Sequence, residues 1–212
     1  MQYIFDSTKE YRTGLSLFYP LIYSIVVGLE TKHAFEFGAG WSTRVILDAL
    51  KETGGQLRSV STDSQQNVML GNGTHKGAIG DVAWLYSDYS QYWIHIHGQT
   101  PDVLNTIEIE APLDFVLHDG SHTKDVVYND FSFILPKMKY NSILLVHDVL
   151  HSNCGKDMRS ALGRALKPFK HQKIILPYGY GLAMVVLKCN EACGVVNINR
   201  NKPSSIHITE HI

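Results

Sequence analysis

The sequence has little charge of either sign and no long hydrophobic run. Charged residues make up only 18% of the chain, and 19 Lys and Arg residues balance 20 Asp and Glu residues. Binding to a phosphate backbone requires a concentrated positive surface, so this balance argues against a nucleic-acid partner. The longest apolar stretch near the start, residues 15–29, contains two serines and is too short to span a bilayer.

Cysteine is also scarce. The three cysteines, Cys154, Cys189 and Cys193, include no pair with the C-x-x-C spacing of a metal site, which favours free thiols in a reducing compartment. The first residues lack the basic segment and small-residue cleavage site of a secretory signal. We therefore expect a cytoplasmic protein that makes no membrane contact.

Histidine, in contrast, is abundant, at 11 of 212 residues. Imidazole groups titrate near neutral pH and bind transition metals. The excess is therefore a first indication of metal or acid–base chemistry, and the positions of the histidines decide where to look for it.

Short apolar strands alternate with amphipathic helices along most of the chain. The apolar period predicts a first helix over residues 14–30. Strands are predicted at residues 33–37, 57–62, 92–97, 113–117, 142–146, 173–176 and 181–187. Between them, helices are predicted at residues 42–50, 103–109, 126–135 and 157–166. The first of these four is expected to be capped by Ser42 or Thr43.

This alternation predicts an α/β fold with a doubly wound, mainly parallel seven-stranded sheet of the Rossmann type. The last two strands follow each other without a helix, so we expect them to form an antiparallel C-terminal hairpin. The whole chain, 1–212, is interpreted as one domain. It comprises an N-terminal helical segment (1–32), a ligand-binding core (33–188) and a polar tail (189–212), and the first helix and the tail are candidate surfaces for a homo-oligomer.

In an open parallel sheet, ligands bind at the carboxyl ends of the strands. Here the first strand ends in the turn Gly38-Ala39-Gly40, which lets a ligand approach the backbone, and the second ends at Asp63, which can accept both hydroxyls of a ribose. Thr43 replaces the third glycine of the dinucleotide fingerprint, and Glu36 would repel a pyrophosphate. The turn therefore favours a ligand that carries positive charge.

These residues resemble the first motif of class I S-adenosylmethionine-dependent methyltransferases, an acid followed by a Gly-x-Gly turn that holds the amino-acid end of the cofactor. The resemblance implies a set of cofactor-binding residues, Glu36, Gly38, Ala39, Gly40, Ser42, Asp63 and Gln99. Gln99 follows the third strand, where many relatives carry an acid.

Two segments of the form His-Asp-x-x-His follow the fourth and fifth strands, at residues 118–122 and 147–151. Strands four and five are neighbours in a doubly wound sheet, so Asp119 and Asp148 should converge on one point. Two carboxylates with one or two imidazoles form a plausible site for a divalent metal.

The Asp-Gly-Ser-His segment at 119–122, together with His147-Asp148, is similar to the small-molecule O-methyltransferase branch that includes macrolide-sugar O-methyltransferases (the macrocin type). The resemblance implies Asp119, His147 and Asp148 as ligands of a divalent metal and His122 as the general base. The metal is expected to be Mg or Mn, with Fe or Zn as alternatives because His147 stands where relatives often have Glu.

The sequence thus predicts methyl transfer from S-adenosylmethionine to a hydroxyl group of a small molecule, assisted by a divalent metal. Two other functions stay open: an NAD(P)-linked oxidoreductase on a Rossmann sheet, and a metal-dependent hydrolase that uses the two His-Asp-x-x-His segments. The glycine-rich residues 71–80 and the aromatic cluster behind them (residues 84–93) are a candidate lid or acceptor wall.

Overall fold

The computed structural model describes residues 14–62, 89–109 and 112–188. Asp63, the 71–80 segment and the 189–212 tail lie outside these ranges, so what the sequence predicts for them stays a prediction.

Helices and strands follow one another in the order that the sequence predicts. The first helical segment begins as a 3-10 turn, Gly14–Phe18, and continues as helix α1. The helices are α1 (Tyr19–Gly28), α2 (Trp41–Thr53), α3 (Lys124–Ile134) and α4 (Gly155–Ala165). The strands are β1 (His33–Phe37), β2 (Gln56–Ser61), β3 (Trp93–His97), β4 (Leu113–His118), β5 (Met138–Val146), β6 (His171–Leu176) and β7 (Leu182–Leu187). None of the described helices is long and apolar enough to cross a membrane.

The seven strands form one sheet in the order β3-β2-β1-β4-β5-β7-β6. Strands β1 to β5 pair in parallel, whereas β7 is antiparallel to both β5 and β6. This confirms the predicted doubly wound sheet with an antiparallel C-terminal hairpin. The strand order reverses between β1 and β4, so a crevice opens where these two strands end.

The two faces of the sheet are covered by different helices, and side chains along β1 alternate between them. Phe35 and Phe37 pack into the core formed with α3 and α4, while Ala34 packs into the core formed with α1 and α2. The intervening Glu36 therefore points toward α2 and is fully buried there.

The helix predicted at residues 103–109 is only a short 3-10 turn, Leu104–Thr106. The chain becomes extended at Ile107, and Leu104 and Ile107 are the buried apolar side chains of the segment. Two anchoring residues three positions apart complete a single turn, and the chain continues in an extended conformation toward Ile109, which also packs against the core.

Asp114 ties the start of the sheet together. One of its carboxylate oxygens, Oδ2, accepts the backbone N–H groups of Lys32 and His33, both at 2.9 Å, and the other pairs with Lys139. Burial would raise the pKa of Asp114, but Lys139 and the two N–H groups lower it instead. The carboxylate thus joins β1, β4 and β5 at the amino end of the parallel strands.

Replacing Asp114 by Ala leaves two backbone N–H groups without an acceptor, and we expect a loss of about 2–3 kcal/mol in the free energy of unfolding. Because the folded chain lowers the pKa of Asp114, this stabilisation is present at neutral pH and fades as the pH falls below about 4. Urea unfolding of both proteins from pH 7 to pH 3 measures it. Asp102→Ala, in an exposed turn, is the control, and an equal loss in both variants would contradict this role of Asp114.

Candidate active site

A cavity of about 940 Å³ opens at the carboxyl ends of the parallel strands. Most of the site residues that the sequence predicts line it: Gly38, Ala39, Gly40, Ser42, Gln99, Asp119, His147 and Asp148. The cavity therefore lies at the switch point of the sheet, where the strand order places a ligand site. Glu36 and His122 are not among the lining residues, and Asp63 falls outside the described part of the chain.

The glycine turn and the segment after β4 are in direct backbone contact. Gly38 has a φ of +87°, and a β-carbon there would lie 2.4 Å from the carbonyl oxygen of Asp119. The Asp119 N–H in turn donates to the carbonyl of Phe37 at 2.9 Å. A side chain at position 38 would both strain the backbone and push these two segments apart.

Glu36 lies beneath the turn and binds three hydroxyl groups. Its Oε1 accepts the Ser42 hydroxyl at 2.7 Å, and its Oε2 accepts those of Thr43 at 2.6 Å and Ser59 at 3.1 Å. The Thr43 oxygen also accepts the backbone N–H of Gly40 at 2.9 Å. A continuous chain of hydrogen bonds thus runs from the buried carboxylate to the last residue of the turn.

This arrangement refines one expectation. The residue before α2 is Gly40 rather than Ser42 or Thr43. Both of their hydroxyls donate to Glu36, and the Thr43 oxygen also accepts the N–H of Gly40 at the start of the helix. Glu36 itself is fully buried and binds the turn from behind, and its role in cofactor binding stays a prediction. Burial raises the pKa of Glu36, and the hydrogen bonds from the three hydroxyl groups lower it. Burial has the larger effect, and the resulting pKa is about 7.

Ser59 is a site residue that the sequence reasoning missed. In the parallel register, Ser59 of β2 stands opposite Glu36 of β1, so both side chains point to the same face of the sheet. The Ser59 oxygen also accepts the indole N–H of Trp93 at 2.9 Å. A serine opposite a buried acid on the neighbouring strand is the signal that would have found it.

The residues after β4 and β5 converge, as the adjacency of the two strands predicts. His122 Nε2 lies 2.7 Å from Asp148 Oδ2, and His147 Nδ1 lies 2.9 Å from Asp119 Oδ1 and 3.4 Å from Asp148 Oδ1. Asp148 has a φ of +59°, a conformation that a non-glycine residue adopts at some cost in energy. That strained turn directs its carboxylate toward both imidazoles.

His147 is a cation in this arrangement. Its Nε2 donates to the carbonyl of Gly179 at 2.7 Å, and its Nδ1 faces two carboxylates, so both ring nitrogens carry a proton. Burial alone would lower its pKa, but the hydrogen bonds to Asp119 and Asp148 raise the pKa to about 10. An imidazolium therefore offsets part of the negative charge of the carboxylate pair.

The second imidazole is coupled to the same carboxylate but is more open to solvent. The hydrogen bond to Asp148 raises the pKa of His122, whose side chain is 41% exposed. Burial would raise the pKa of Asp148, but hydrogen bonds from His122 and His147 hold it well below its usual range. Asp148 is therefore ionised at neutral pH.

The residues present fit a divalent metal. Ligand atoms of Asp119, His122 and Asp148 all lie within 4.8 Å of one another. Two carboxylates and an imidazole suit Mn, Fe or Zn, whereas Mg prefers an all-oxygen shell. His147 is not part of this group because both of its nitrogens are engaged, so the geometry brings together His122, rather than the predicted His147, with the two carboxylates.

Two predicted features turn out to belong to the core. His118 is fully buried, with Nε2 3.0 Å from Asp130 Oδ2, and its ring packs between Phe37 and Phe131. In the aromatic cluster, Tyr89 and Trp93 are also buried, so these two do not form an acceptor wall.

Two cavity residues come from segments for which the sequence carries no site signal. Tyr19 begins α1 and lines the cavity, although its apolar spacing indicates a core residue. Burial, with the charges of Asp119 and Glu36, raises the pKa of Tyr19, so its hydroxyl stays a hydrogen-bond donor. Tyr180 reaches the cavity from the turn between β6 and β7.

The sheet order, the glycine turn and the carboxylate pair together define a class I S-adenosylmethionine-dependent methyltransferase. Residues 35–149, more than half of the 212-residue chain, match the methyltransferase domain family, and the chain belongs to this family. Membership favours methyl transfer over the NAD(P)-linked oxidoreductase and the metal-dependent hydrolase. None of the curated protein sequences matches the chain significantly.

Solved methyltransferases share this fold. The O-methyltransferase TomG from Streptomyces achromogenes, involved in tomaymycin synthesis and solved with S-adenosylmethionine, is 15% identical with a TM-score of 0.61, over 82% of this chain and 81% of that one. The S-adenosylhomocysteine-bound methyltransferase PaMTH1 from Podospora anserina is 15% identical with a TM-score of 0.62, over 82% and 79%. A Bacillus cereus O-methyltransferase, in complex with S-adenosylhomocysteine, is 14% identical with a TM-score of 0.58, over 80% of each chain.

The raised pKa of Glu36 predicts a pH-dependent stability that Glu36→Gln removes. The folded chain keeps the Glu36 proton up to about pH 7, whereas the unfolded chain releases it near pH 4.5, so stability falls as the pH rises through this window. Relative to Glu36→Gln, we expect the wild-type free energy of unfolding to drop by up to about 3 kcal/mol. Urea titrations at several pH values measure this, with the exposed Glu108→Gln as the control. Parallel stability curves for wild type and Glu36→Gln would refute it.

Proposed function

We propose that this chain transfers the methyl group of S-adenosylmethionine to a hydroxyl group of a small molecule. The observation that carries the proposal is the convergence of Asp119, His122 and Asp148 beside the glycine turn, where the two carboxylates line the cavity and His122 lies against them. Two of the similar structures are O-methyltransferases, which supports a hydroxyl acceptor.

The glycine turn and the start of α2 would hold the amino-acid end of S-adenosylmethionine. Gly38–Gly40 exposes backbone to the cavity, and the first N–H groups of α2 favour a carboxylate there. Glu36 contributes by fixing the turn through Ser42 and Thr43. Gln99 lines the cavity beyond β3 on the side assigned to the adenine, and Asp63 is proposed to bind the ribose.

His122 is the proposed general base. Asp148 binds its Nε2, which leaves Nδ1 to accept a proton, as in other carboxylate–imidazole pairs. The acceptor hydroxyl gives its proton to His122, and its oxygen attacks the methyl carbon while the bond between that carbon and sulfur breaks. The electron pair of the broken bond stays on sulfur, which leaves neutral S-adenosylhomocysteine and a methyl ether.

Asp119 and Asp148 are the proposed metal ligands, with His147 next to them as a fixed cation. A divalent metal held there would lower the pKa of a hydroxyl bound to it. The hydrogen bond from His122 to Asp148 favours the protonated form of His122 and so favours the transfer of the proton to it.

Gly38→Ala tests the cofactor half of the proposal. The substitution strains a φ of +87° and sets a methyl group against the Asp119 carbonyl, so we expect at least a tenfold loss of S-adenosylhomocysteine affinity by calorimetry. Gly163→Ala, where a β-carbon meets nothing within 4 Å, is the matched control and should bind normally. Absence of binding to the wild-type chain, with and without Mg or Mn, would defeat the proposed function.

Substitutions of the acidic pair and of His122 test the chemistry. We expect Asp119→Ala and Asp148→Ala to lose both the response to Mn and turnover, measured as methyl transfer to a panel of hydroxyl acceptors. His122→Ala should lower turnover by at least a hundredfold while S-adenosylhomocysteine still binds.

A loss of Mn binding in His122→Ala would show that His122 is a metal ligand, and full activity in EDTA would remove the metal from the proposal. Cofactor binding without transfer to any acceptor would indicate a non-catalytic binding protein.

A further inference from the structure

An uncharged rim surrounds the turn between β6 and β7, at the mouth of the cavity. It consists of Leu17, Leu150, Tyr178 and Tyr180, whose side chains are between 42% and 70% exposed. Apolar and aromatic side chains that are exposed together beside a cavity mark a binding surface more often than single exposed residues do. Nothing in the proposed methyl-transfer step uses these four side chains.

Two glycines bring both leucines of the rim against the turn that carries the two tyrosines. A β-carbon on Gly179 would lie 3.1 Å from Leu17 Cδ1, and one on Gly181 would lie 2.6 Å from Leu150 Cγ. The two leucines therefore pack directly on the backbone on either side of Tyr180. Side chains at positions 179 and 181 would separate them.

Tyr180 is the rim residue that lines the cavity, and its position is fixed from several directions. Its φ is +66°, and its carbonyl accepts the N–H of Leu150 at 2.7 Å. Its ring meets the ring of His151 edge to face, with centroids 4.7 Å apart, and lies against Gly14 on another side. A tyrosine held in this unfavourable backbone conformation indicates that the placement of the ring matters.

The rim also lies directly beside the proposed site of methyl transfer. The Gly179 carbonyl accepts the Nε2 proton of His147, and His151 is three residues after Asp148. A molecule whose hydroxyl reaches His122 and Asp148 would therefore extend its body over Tyr180.

We propose that the rim binds the methyl acceptor and that the acceptor is a hydroxylated aromatic molecule, whose ring system stacks on Tyr180. The inference rests on the proposed function and adds the substrate class to it. The rim offers flat apolar area and two phenol hydroxyls but no charge, which suits an aromatic body. A sugar would need several hydrogen-bonding side chains, and a phosphorylated acceptor would need a cation, which the rim does not supply.

The test compares probes that differ by one ring. Phenol, 2-naphthol and methyl glucoside are titrated into the full chain saturated with S-adenosylhomocysteine, and dissociation constants are measured by calorimetry. We expect 2-naphthol to bind about tenfold more tightly than phenol, because the second ring buries additional apolar area on the rim.

The variants assign this preference to Tyr180. Tyr180→Ala should abolish it and Tyr180→Phe should keep it, since the ring and not the hydroxyl makes the contact. Tyr140→Ala is the matched control, because Tyr140 is 57% exposed at the opposite end of β5. Leu17→Ser, which leaves the turn backbone unchanged, should reduce the preference and serves if Tyr180→Ala does not fold.

The following results would contradict the proposal that the rim binds an aromatic acceptor. Equal affinities for phenol and 2-naphthol, or a preference that survives in both Tyr180→Ala and Leu17→Ser, would overturn the inference. Tightest binding of methyl glucoside would overturn it in favour of a carbohydrate acceptor. In these cases S-adenosylhomocysteine still binds and the proposed function stands, whereas failure of the wild-type chain to bind S-adenosylhomocysteine removes the proposed function first.

Discussion

The close backbone contact between the ends of β1 and β4 is the constraint on which the site depends. Gly38 and the carbonyl of Asp119 are so near that no side chain fits between them. The turn proposed to hold the cofactor and the carboxylate proposed for chemistry thus share one rigid junction. Glu36 lies beneath that junction and supports it through hydrogen bonds. Burial raises the pKa of Glu36, and the three hydroxyl groups that donate to it lower the pKa. The shape of the cavity is therefore fixed by backbone contacts and by Glu36, a residue that does not line the cavity itself.

Features that follow from periodicity and strand order could be predicted from the sequence. The order of the elements, the neighbouring positions of β4 and β5 and the convergence of Asp119 with Asp148 all follow from alternation and from the rules for parallel sheets. The hydrogen-bond partners of the polar side chains could not be predicted, because several acceptors are available to each group. The hydroxyls of Ser42 and Thr43 suit a helix cap equally well, but a buried acid opposite them is the stronger acceptor.

The histidines show the same limit. The two His-Asp-x-x-His segments look alike in sequence, yet His118 is buried in the core while His147 lies at the site between two carboxylates. The difference arises from the elements packed behind them: β4 ends against Asp130 on α3, whereas β5 ends against the turn between β6 and β7. Tyr19 and Tyr180 line the same cavity from distant parts of the chain, and no local sequence pattern indicates this.

The insertion of β7 between β5 and β6 has a consequence for how such an enzyme can diversify. It brings the 177–181 turn to the edge of the site, where the group that engages His147 is the main-chain carbonyl of Gly179. A carbonyl is supplied by any residue, so positions 178 and 180 can change side chain without altering that hydrogen bond. With the rim proposed to bind the acceptor, acceptor choice and transfer chemistry would be separable at this turn, and the codons for residues 178 and 180 would be a natural starting point for redirecting the enzyme to new substrates.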